Sequence, residues 1–208
     1  MKPFTHSFFA AALVAVVALV SSAAAAERPE VGQPAPDFTL TDTRGVVQSL
    51  SAFKGKVVVL EWINHGCPFV IKHYDSANMQ KTQKAAAADG AVWLSICSSA
   101  PGKQGHMTPA EWNTVNAAKS AAPLAVLLDE DGKVGKRYHA TNTPQLFVID
   151  AAGRIAYSGA IDSIASAKGE DVPKAQNHVL AALADLKAGR PVATPVTKPY
   201  GCSVKYAD

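Results

Sequence analysis

The chain has 208 residues, and its 20 Lys and Arg nearly balance 17 Asp and Glu, giving a net charge of +3 at pH 7. This near-neutral composition lacks the basic stripe that phosphate backbones require, so it argues against a nucleic-acid partner. Three cysteines allow at most one internal disulfide and leave one thiol over. In an exported protein such a leftover thiol is typical of a reactive or intermolecular cysteine.

The N-terminus has the pattern of a secretory signal peptide over residues 1–26. Lys2 precedes an apolar run from Phe8 to Val20, and a small-residue stretch ends at Ala26. The run is shorter than the roughly 20 residues that span a bilayer, and no later run is long enough, so we expect no stable membrane insertion. The sequence therefore predicts an exported, periplasmic protein with one domain over 27–188 and an extended tail over 189–208.

The elements predicted in chain order alternate between strands and helices. β-Branched and apolar runs favour strands at 37–41, 46–50, 56–63, 91–97, 124–128, 145–149 and 154–158. Helix signals favour 68–88, 108–119, 132–138 and 173–188, the second with Thr108 as its cap and Glu111 three residues on. This order predicts an α/β sandwich with a mixed central sheet, parallel early connections and helices on both faces.

Cys67 lies where a buried strand gives way to a helix that opens with Pro68. Unpaired N–H groups and the helix dipole at such a position favour the thiolate, so we expect a lowered pKa for Cys67. The alternative is a small buried apolar side chain, which is common for free cysteine. The Gly66-Cys67-Pro68 sequence at a helix mouth favours the reactive thiol.

The segment around Cys67 resembles the redox site of the thioredoxin superfamily, in which a strand, a loop and Cys-x-x-Cys lead into a helix. Val70 replaces the second cysteine here, so resolution requires a distant thiol. Thr143-Pro144 before a strand matches the second hallmark of the superfamily, and the resemblance implies that this peptide bond is cis.

The resemblance narrows to redoxin or peroxiredoxin-like proteins related to AhpC/TSA, over about 31–206. The matching residues form three segments, Asn64-His65-Gly66-Cys67-Pro68-Phe69-Val70, Thr143-Pro144 and Gly201-Cys202-Ser203-Val204-Lys205. Gly66 departs from the pattern because it separates His65 from the cysteine. The family implies a thioredoxin-like three-layer sandwich, with Cys67, Cys202 and Pro144 catalytic and with Asn64, His65, Pro68 and Thr143 supporting them.

The partner of Cys67 is open at this level. Cys202 in the tail is a candidate resolving thiol. Alternatively it belongs to a permanent structural disulfide, which would close a long loop and contribute up to about 4–5 kcal/mol to stability. Cys97 ends the next strand and competes for Cys67, although its apolar surroundings favour a buried core thiol.

Other polar residues have alternative roles. His65 and Lys72 are expected to provide positive charge near the thiolate. His65 and His73 flank Cys67, and together with it they raise a minor hypothesis of copper or zinc binding. Helical spacing disfavours this hypothesis because positions 67 and 73 lie on different faces. Glu61 within an apolar strand is either a buried proton acceptor or a carboxylate paired with lysine.

Two functions compete. The first is thiol-disulfide exchange with protein or small-molecule thiols and disulfides, in which Cys67 forms a mixed disulfide that Cys202 or an external thiol resolves. The second is antioxidant peroxide reduction through a sulfenic acid on Cys67. In peroxiredoxins the reactive cysteine stands where Val70 stands here, so the resemblance favours exchange. No cofactor or metal is predicted as part of either reaction.

Overall fold

A computed structural model describes residue 1 and residues 29–207. The predicted signal peptide therefore lies, apart from its first residue, outside the described residues. The strands are β1 (Thr39–Asp42), β2 (Val47–Ser49), β3 (Val58–Trp62), β4 (Val92–Cys97), β5 (Ala125–Leu128), β6 (Asn142–Thr143), β7 (Gln145–Ile149), β8 (Ile155–Gly159) and β9 (Cys202–Ser203). The helices are α1 (Pro68–Asp75), α2 (Asn78–Ala88), α3 (Pro109–Ala118), α4 (Lys133–Arg137) and α5 (His178–Lys187).

Seven strands form one mixed sheet in the order β2-β1-β5-β4-β3-β7-β8. The central pairs β3–β4 and β4–β5 are parallel. The pairs β1–β2, β1–β5, β3–β7 and β7–β8 are antiparallel. β3 is buried at every position because it lies inside the sheet and both of its faces are covered. The predicted parallel connections and mixed sheet are confirmed.

Side chains of the sheet alternate between two hydrophobic cores. Val59 and Trp93 pack with residues of α1, α2, α3 and α5, whereas Leu60 and Trp62 pack with α4 on the opposite face. This alternation follows from the two-residue period of a strand. Helices therefore cover both faces, and the predicted three-layer sandwich is confirmed.

Two helix boundaries differ from the prediction. The predicted helix over 68–88 is two helices, because the chain turns at Ala77, which has a φ of 57°. Ser76 and Asn78 flank this turn and bond the adjacent structure through their side chains, a habit that weakens helix interiors. The last helix begins at His178 rather than 173, since Asn177 caps it by accepting the N–H of Leu180 at 2.9 Å.

Other elements match closely. Thr108 and Glu111 form the predicted capping box at the start of α3. The tail over 189–208 was predicted to be extended, and in its described part it also adds the short strand β9 to β6. Across residue 1 and residues 29–207, no helix is long and apolar enough to cross a membrane.

Candidate active site

Cys67 is the N-cap residue of α1 and follows directly on the turn that leaves β3. Its N–H donates to the carbonyl of Asn64 at 2.9 Å, and Pro68 takes the first helical position, where its missing N–H costs nothing. Gly66 and Pro68 are exposed, yet the Cys67 side chain is 0% exposed. The thiol therefore points from a surface loop into the protein.

Asn64 fixes the loop that carries Cys67. Its Oδ1 accepts the N–H of Gly66 at 2.8 Å, and its Nδ2 donates to the carbonyl of Gln104 at 3.3 Å. Gln104 returns a hydrogen bond from its own amide to the carbonyl of Gly66 at 3.0 Å. Gly105 lies so close to the Asn64 amide that any side chain at 105 would collide with it. The loop is thus held by a neighbouring loop that sequence analysis did not connect with it.

The cis peptide bond predicted between Thr143 and Pro144 is confirmed. The thiol of Cys67 donates to the Thr143 carbonyl across 3.1 Å. In the two-stranded sheet of β6 and β9, Thr143 is the direct partner of Cys202. The same residue therefore contacts both cysteines of the candidate pair.

The tail brings Cys202 to Cys67 across 135 positions of sequence. The backbone N–H of Cys202 donates to the Cys67 sulfur at 3.4 Å. Asn142 holds the preceding residue by donating from Nδ2 to the carbonyl of Gly201 at 3.0 Å. Gly201 has a φ of +126° and lies against the Thr143 carbonyl, so only glycine fits there.

The two sulfurs have opposite electrostatic environments. Burial raises the pKa of Cys67, but hydrogen bonds from the Cys202 thiol, from the N–H groups of Cys202 and Val70 and from Thr143 outweigh burial and lower this pKa overall. The Thr143 hydroxyl is buried without another partner among the described residues, so a thiolate gives it an acceptor. Burial and the neighbouring Cys67 raise the pKa of Cys202 to about 11.

Cys97 has the environment of a core thiol, as one of its two predicted roles required. It is 3% exposed at the end of β4, and its thiol donates to the carbonyl of Gly105 at 3.4 Å. Burial raises its pKa. The cysteine that contacts the Cys67 sulfur is Cys202, through its backbone N–H.

His65 does not supply positive charge, so that prediction is wrong. Desolvation lowers its pKa to about 4, which leaves the ring neutral at pH 7. The ring packs against Tyr74 and Trp112 at centroid distances of 4.8 and 5.2 Å, and its Nε2 lies 3.3 Å from Asn116 Oδ1. Burial against these rings removes water from around the imidazole, which disfavours its charged form.

Lys72 does not provide the positive charge predicted near the thiolate either, because its ammonium is paired elsewhere. Its ammonium is buried and lies 3.2 Å from the carboxylate of Asp162, which compensates the charge. His73 contacts Tyr200 and Asn78 rather than Cys67. Among the residues that the structure describes, no three His, Cys, Asp or Glu side chains cluster as metal ligands. The minor copper or zinc hypothesis therefore gains no support from these contacts.

Glu61 is fully buried under the site and does not pair with lysine. Its carboxyl accepts hydrogen bonds from four side chains at 2.8–3.3 Å, namely those of Tyr74, Gln83, Trp93 and Ser95. Desolvation raises its pKa in spite of these donors. Of the two predicted environments of Glu61, the buried acid is therefore correct and the pairing with a lysine is wrong.

Two residues that hold the tail, Tyr200 and Asp162, stand in no motif that predicts this role. Tyr200, two positions before Cys202, enters a buried polar cluster formed by Lys72, His73 and Asp162. Its position next to the matched Gly-Cys segment was the available signal. Asp162 lies outside the named helices and strands, where it forms an isolated β-bridge with Asn177, so no periodic pattern marks it.

Comparison with known proteins agrees with this fold. The model of the AhpC/TSA family matches residues 31–158. A hypothetical protein from Sinorhizobium meliloti 1021 is 24% identical, with a TM-score of 0.71 over 86% of this chain and 95% of that one. An uncharacterized conserved protein from Geobacillus kaustophilus is 26% identical, with a TM-score of 0.70 over 87% and 94% of the two chains.

A more distant structure is the thioredoxin domain of a thiol-disulfide oxidoreductase from Bacteroides vulgatus. It is 22% identical, with a TM-score of 0.51, and the match covers 70% of this chain and 96% of that one. A search of curated proteins finds no significant match. The predicted thioredoxin-like fold is therefore confirmed.

Proposed function

Since the chain belongs to the AhpC/TSA family, we propose that it is a thiol-disulfide oxidoreductase that acts through the Cys67 thiolate and is resolved by Cys202. The observation that carries this proposal is the contact of Cys202 with the Cys67 sulfur, through its N–H at 3.4 Å. A thiolate is the nucleophile in exchange, and the lowered pKa of Cys67 favours it.

The first step is the attack of the Cys67 thiolate on one sulfur of a substrate disulfide. A bond forms between Cys67 and that sulfur, and the other substrate sulfur leaves as a thiolate. The N–H groups of Cys202 and Val70 stabilise the attacking thiolate before the reaction. The substrate is a protein or small-molecule disulfide.

The second step is the attack of the deprotonated Cys202 thiol on Cys67 Sγ in the mixed disulfide. The second substrate thiolate leaves, and the protein keeps a Cys67–Cys202 disulfide, so the substrate gains the two electrons that the protein loses. Two external thiol groups then reduce the protein again and leave joined as a disulfide. The high pKa of Cys202, about 11, arises largely from burial and from Cys67, and the second influence weakens once Cys67 is bound in a disulfide.

Buried Glu61 is a proton acceptor near this chemistry in our proposal. Its raised pKa makes it a carboxyl group that holds a proton at a higher pH than an exposed glutamate. Tyr74, whose hydroxyl donates to Glu61 at 3.1 Å, also packs its ring against the ring of His65 in the active-site loop. This arrangement connects the acid with the loop that carries Cys67.

Peroxide reduction is the second candidate, and membership of the AhpC/TSA family favours it. In that reaction the Cys67 thiolate attacks one oxygen of a peroxide and becomes a sulfenic acid, while the rest of the peroxide leaves as an alcohol or water. Cys202 then displaces water from the sulfenic acid and forms the disulfide. Val70, which stands at the position of the peroxidatic cysteine, favours exchange instead. Both reactions end in the same disulfide.

We also propose that residues 1–26 direct export and that the domain works in the periplasm. The apolar run and the Ala-rich end of this segment support the proposal. An oxidising compartment suits a cysteine pair that cycles between thiols and disulfide.

Stopped-flow mixing of the reduced protein with either oxidised glutathione or hydrogen peroxide tests the reaction type. We expect a faster second-order rate with the disulfide, loss of the reaction in Cys67→Ser and an unchanged rate in Cys97→Ser. In Cys202→Ser, the first step should continue and a mixed disulfide with glutathione should accumulate. A faster rate with peroxide would replace exchange by the second candidate, and an unchanged rate in Cys67→Ser would exclude both.

A further inference from the structure

Cys67 is covered by the chain's own tail. The tail runs along the edge of β8, where the N–H of Thr197 donates to the Ser158 carbonyl at 3.1 Å, and continues to β9 beside β6. Cys67 is 0% exposed beneath it, although both neighbours of Cys67 in sequence are at the surface. An external disulfide can therefore reach the sulfur only when this part of the tail moves.

Tyr200 anchors the part of the tail that covers Cys67, because its side chain inserts into the protein. Its ring packs on Phe69 of α1 at a centroid distance of 5.8 Å. Its hydroxyl donates to the carboxylate of Asp162, accepts from Lys72 Nζ at 3.4 Å and contacts His73 Nε2 at 3.1 Å. One phenol hydroxyl thus uses its donor and both acceptor positions.

The receiving cluster is built to hold this hydroxyl. The side chains of Lys72 and His73 are 0% exposed, and that of Asp162 is 2% exposed. The Asn78 amide donates to His73 Nδ1 at 2.8 Å, which places the proton of the neutral ring on Nε2, facing Tyr200. Desolvation lowers the pKa of His73 to about 4, in accord with this neutral form.

We propose that Tyr200 is a positioning residue that clasps the tail over Cys67 and controls when this thiol meets an external disulfide. The proposal rests on the exchange function proposed above. In the reduced protein the closed tail keeps Cys202 against Cys67. Release of Tyr200 from the cluster opens the path for the first attack, and its return brings Cys202 Sγ to the mixed disulfide for the second.

Tyr200→Phe isolates the contribution of the hydroxyl. The variant keeps the ring contact with Phe69 but loses the hydrogen bonds to a charged carboxylate, an ammonium and an imidazole. A hydrogen bond to a charged group is strong enough to change an opening equilibrium on the order of tenfold. The open fraction of the tail should therefore rise about tenfold, by that same reasoning.

The test is the rate at which iodoacetamide alkylates Cys67 in the fully reduced protein, followed by peptide mass spectrometry. Tyr138→Phe is the matched control, because its hydroxyl is also buried but donates to the Pro36 carbonyl at 2.6 Å and not to any group of the tail. We expect about tenfold faster alkylation of Cys67 in Tyr200→Phe and no change in the control. The midpoint of the pH profile for Cys67 should be the same in both variants.

Equilibration with glutathione adds a readout that a general loss of structure would disturb. On this proposal the clasp holds the tail equally in the oxidised and the reduced protein. Tyr200→Phe should then leave the Cys67–Cys202 disulfide equilibrium within about twofold of the wild type while the tail is mostly closed. Hydrogen exchange at the N–H of Val204, which bonds the Thr141 carbonyl at 3.0 Å, should accelerate with the alkylation.

An unchanged alkylation rate in Tyr200→Phe, or equal acceleration in both variants, would overturn the clasp. If Tyr200→Phe does not fold, alkylation of wild-type Cys67 at the full rate of an exposed thiolate would overturn it equally. Alkylation requires no redox cycle, so this result is independent of the exchange assay. Failure of the glutathione reaction in the wild type would refute the proposed function and leave the clasp standing.

Discussion

Replacing Glu61 by glutamine should change how the stability of the protein depends on pH. Glu61 is 0% exposed, and desolvation raises its pKa above the ordinary value of 4.5. Glutamine keeps the shape and an oxygen that can accept from Trp93 and Ser95, while its amide can donate to the Tyr74 hydroxyl. The substitution therefore removes the titration with little loss of hydrogen bonding.

The sign follows from the raised pKa. The folded state holds the Glu61 proton more tightly than the unfolded state, so its contribution to stability is fully present below pH 4.5 and is lost as pH rises through the folded pKa. A single differential proton gives a slope of at most about 1.4 kcal/mol per pH unit in this window. Subtracting the Glu61→Gln curve from the wild-type curve isolates this slope from all other titrating groups.

Urea unfolding at a series of pH values from 4 to 8, followed by tryptophan fluorescence, measures both curves. We expect the free energy of unfolding of the wild type to fall relative to Glu61→Gln as pH rises above 4.5. A difference between the two proteins that stays constant over the whole series would show that Glu61 has an ordinary pKa, and would refute the reasoning.

Three further predictions concern the site. Gly201→Ala forces a side chain into a left-handed conformation that costs about 1–3 kcal/mol. The effective concentration of Cys202 in glutathione buffers should therefore fall at least about fivefold, whereas an unchanged value would contradict the tail pairing. Asn64→Ala removes the bond to the Gly66 N–H and should lower the free energy of unfolding in urea by about 1–3 kcal/mol; a loss near zero would mean that the loop is held otherwise. Cys97→Ser should lower the free energy of unfolding by about 1–2 kcal/mol and leave formation of the Cys67–Cys202 disulfide intact. Loss of that disulfide would point to Cys97 as the resolving thiol.

Much of the fold was predictable because its strands are unusually continuous in apolar character. β3 reads as a buried run after Gly55, and α3 begins with a full capping box, so local physics and tertiary structure agree there. The break at Ala77 was not predictable from periodicity, since both sides of it favour helix. Its left-handed backbone conformation is imposed by the contacts of the folded chain.

The candidate site divides in the same way. Cys67, Thr143 and Pro144 could be found because each stands in a short motif at an element boundary. The neutral state of His65 was not predictable, because it depends on the aromatic rings that enclose it. The same holds for Tyr200, whose partners lie 38 and 128 positions away in the sequence.

The central claim is that Cys202 closes the cycle of Cys67, and peptide mapping of the oxidised protein tests it most directly. The reduced protein is oxidised with one equivalent of oxidised glutathione, its remaining thiols are alkylated, and the digest is analysed by mass spectrometry without reductant. We predict a Cys67–Cys202 peptide pair that disappears on reduction and reforms on reoxidation, with Cys97 alkylated only after unfolding. A Cys97–Cys202 pair, with Cys67 recovered as the free thiol, would contradict the account.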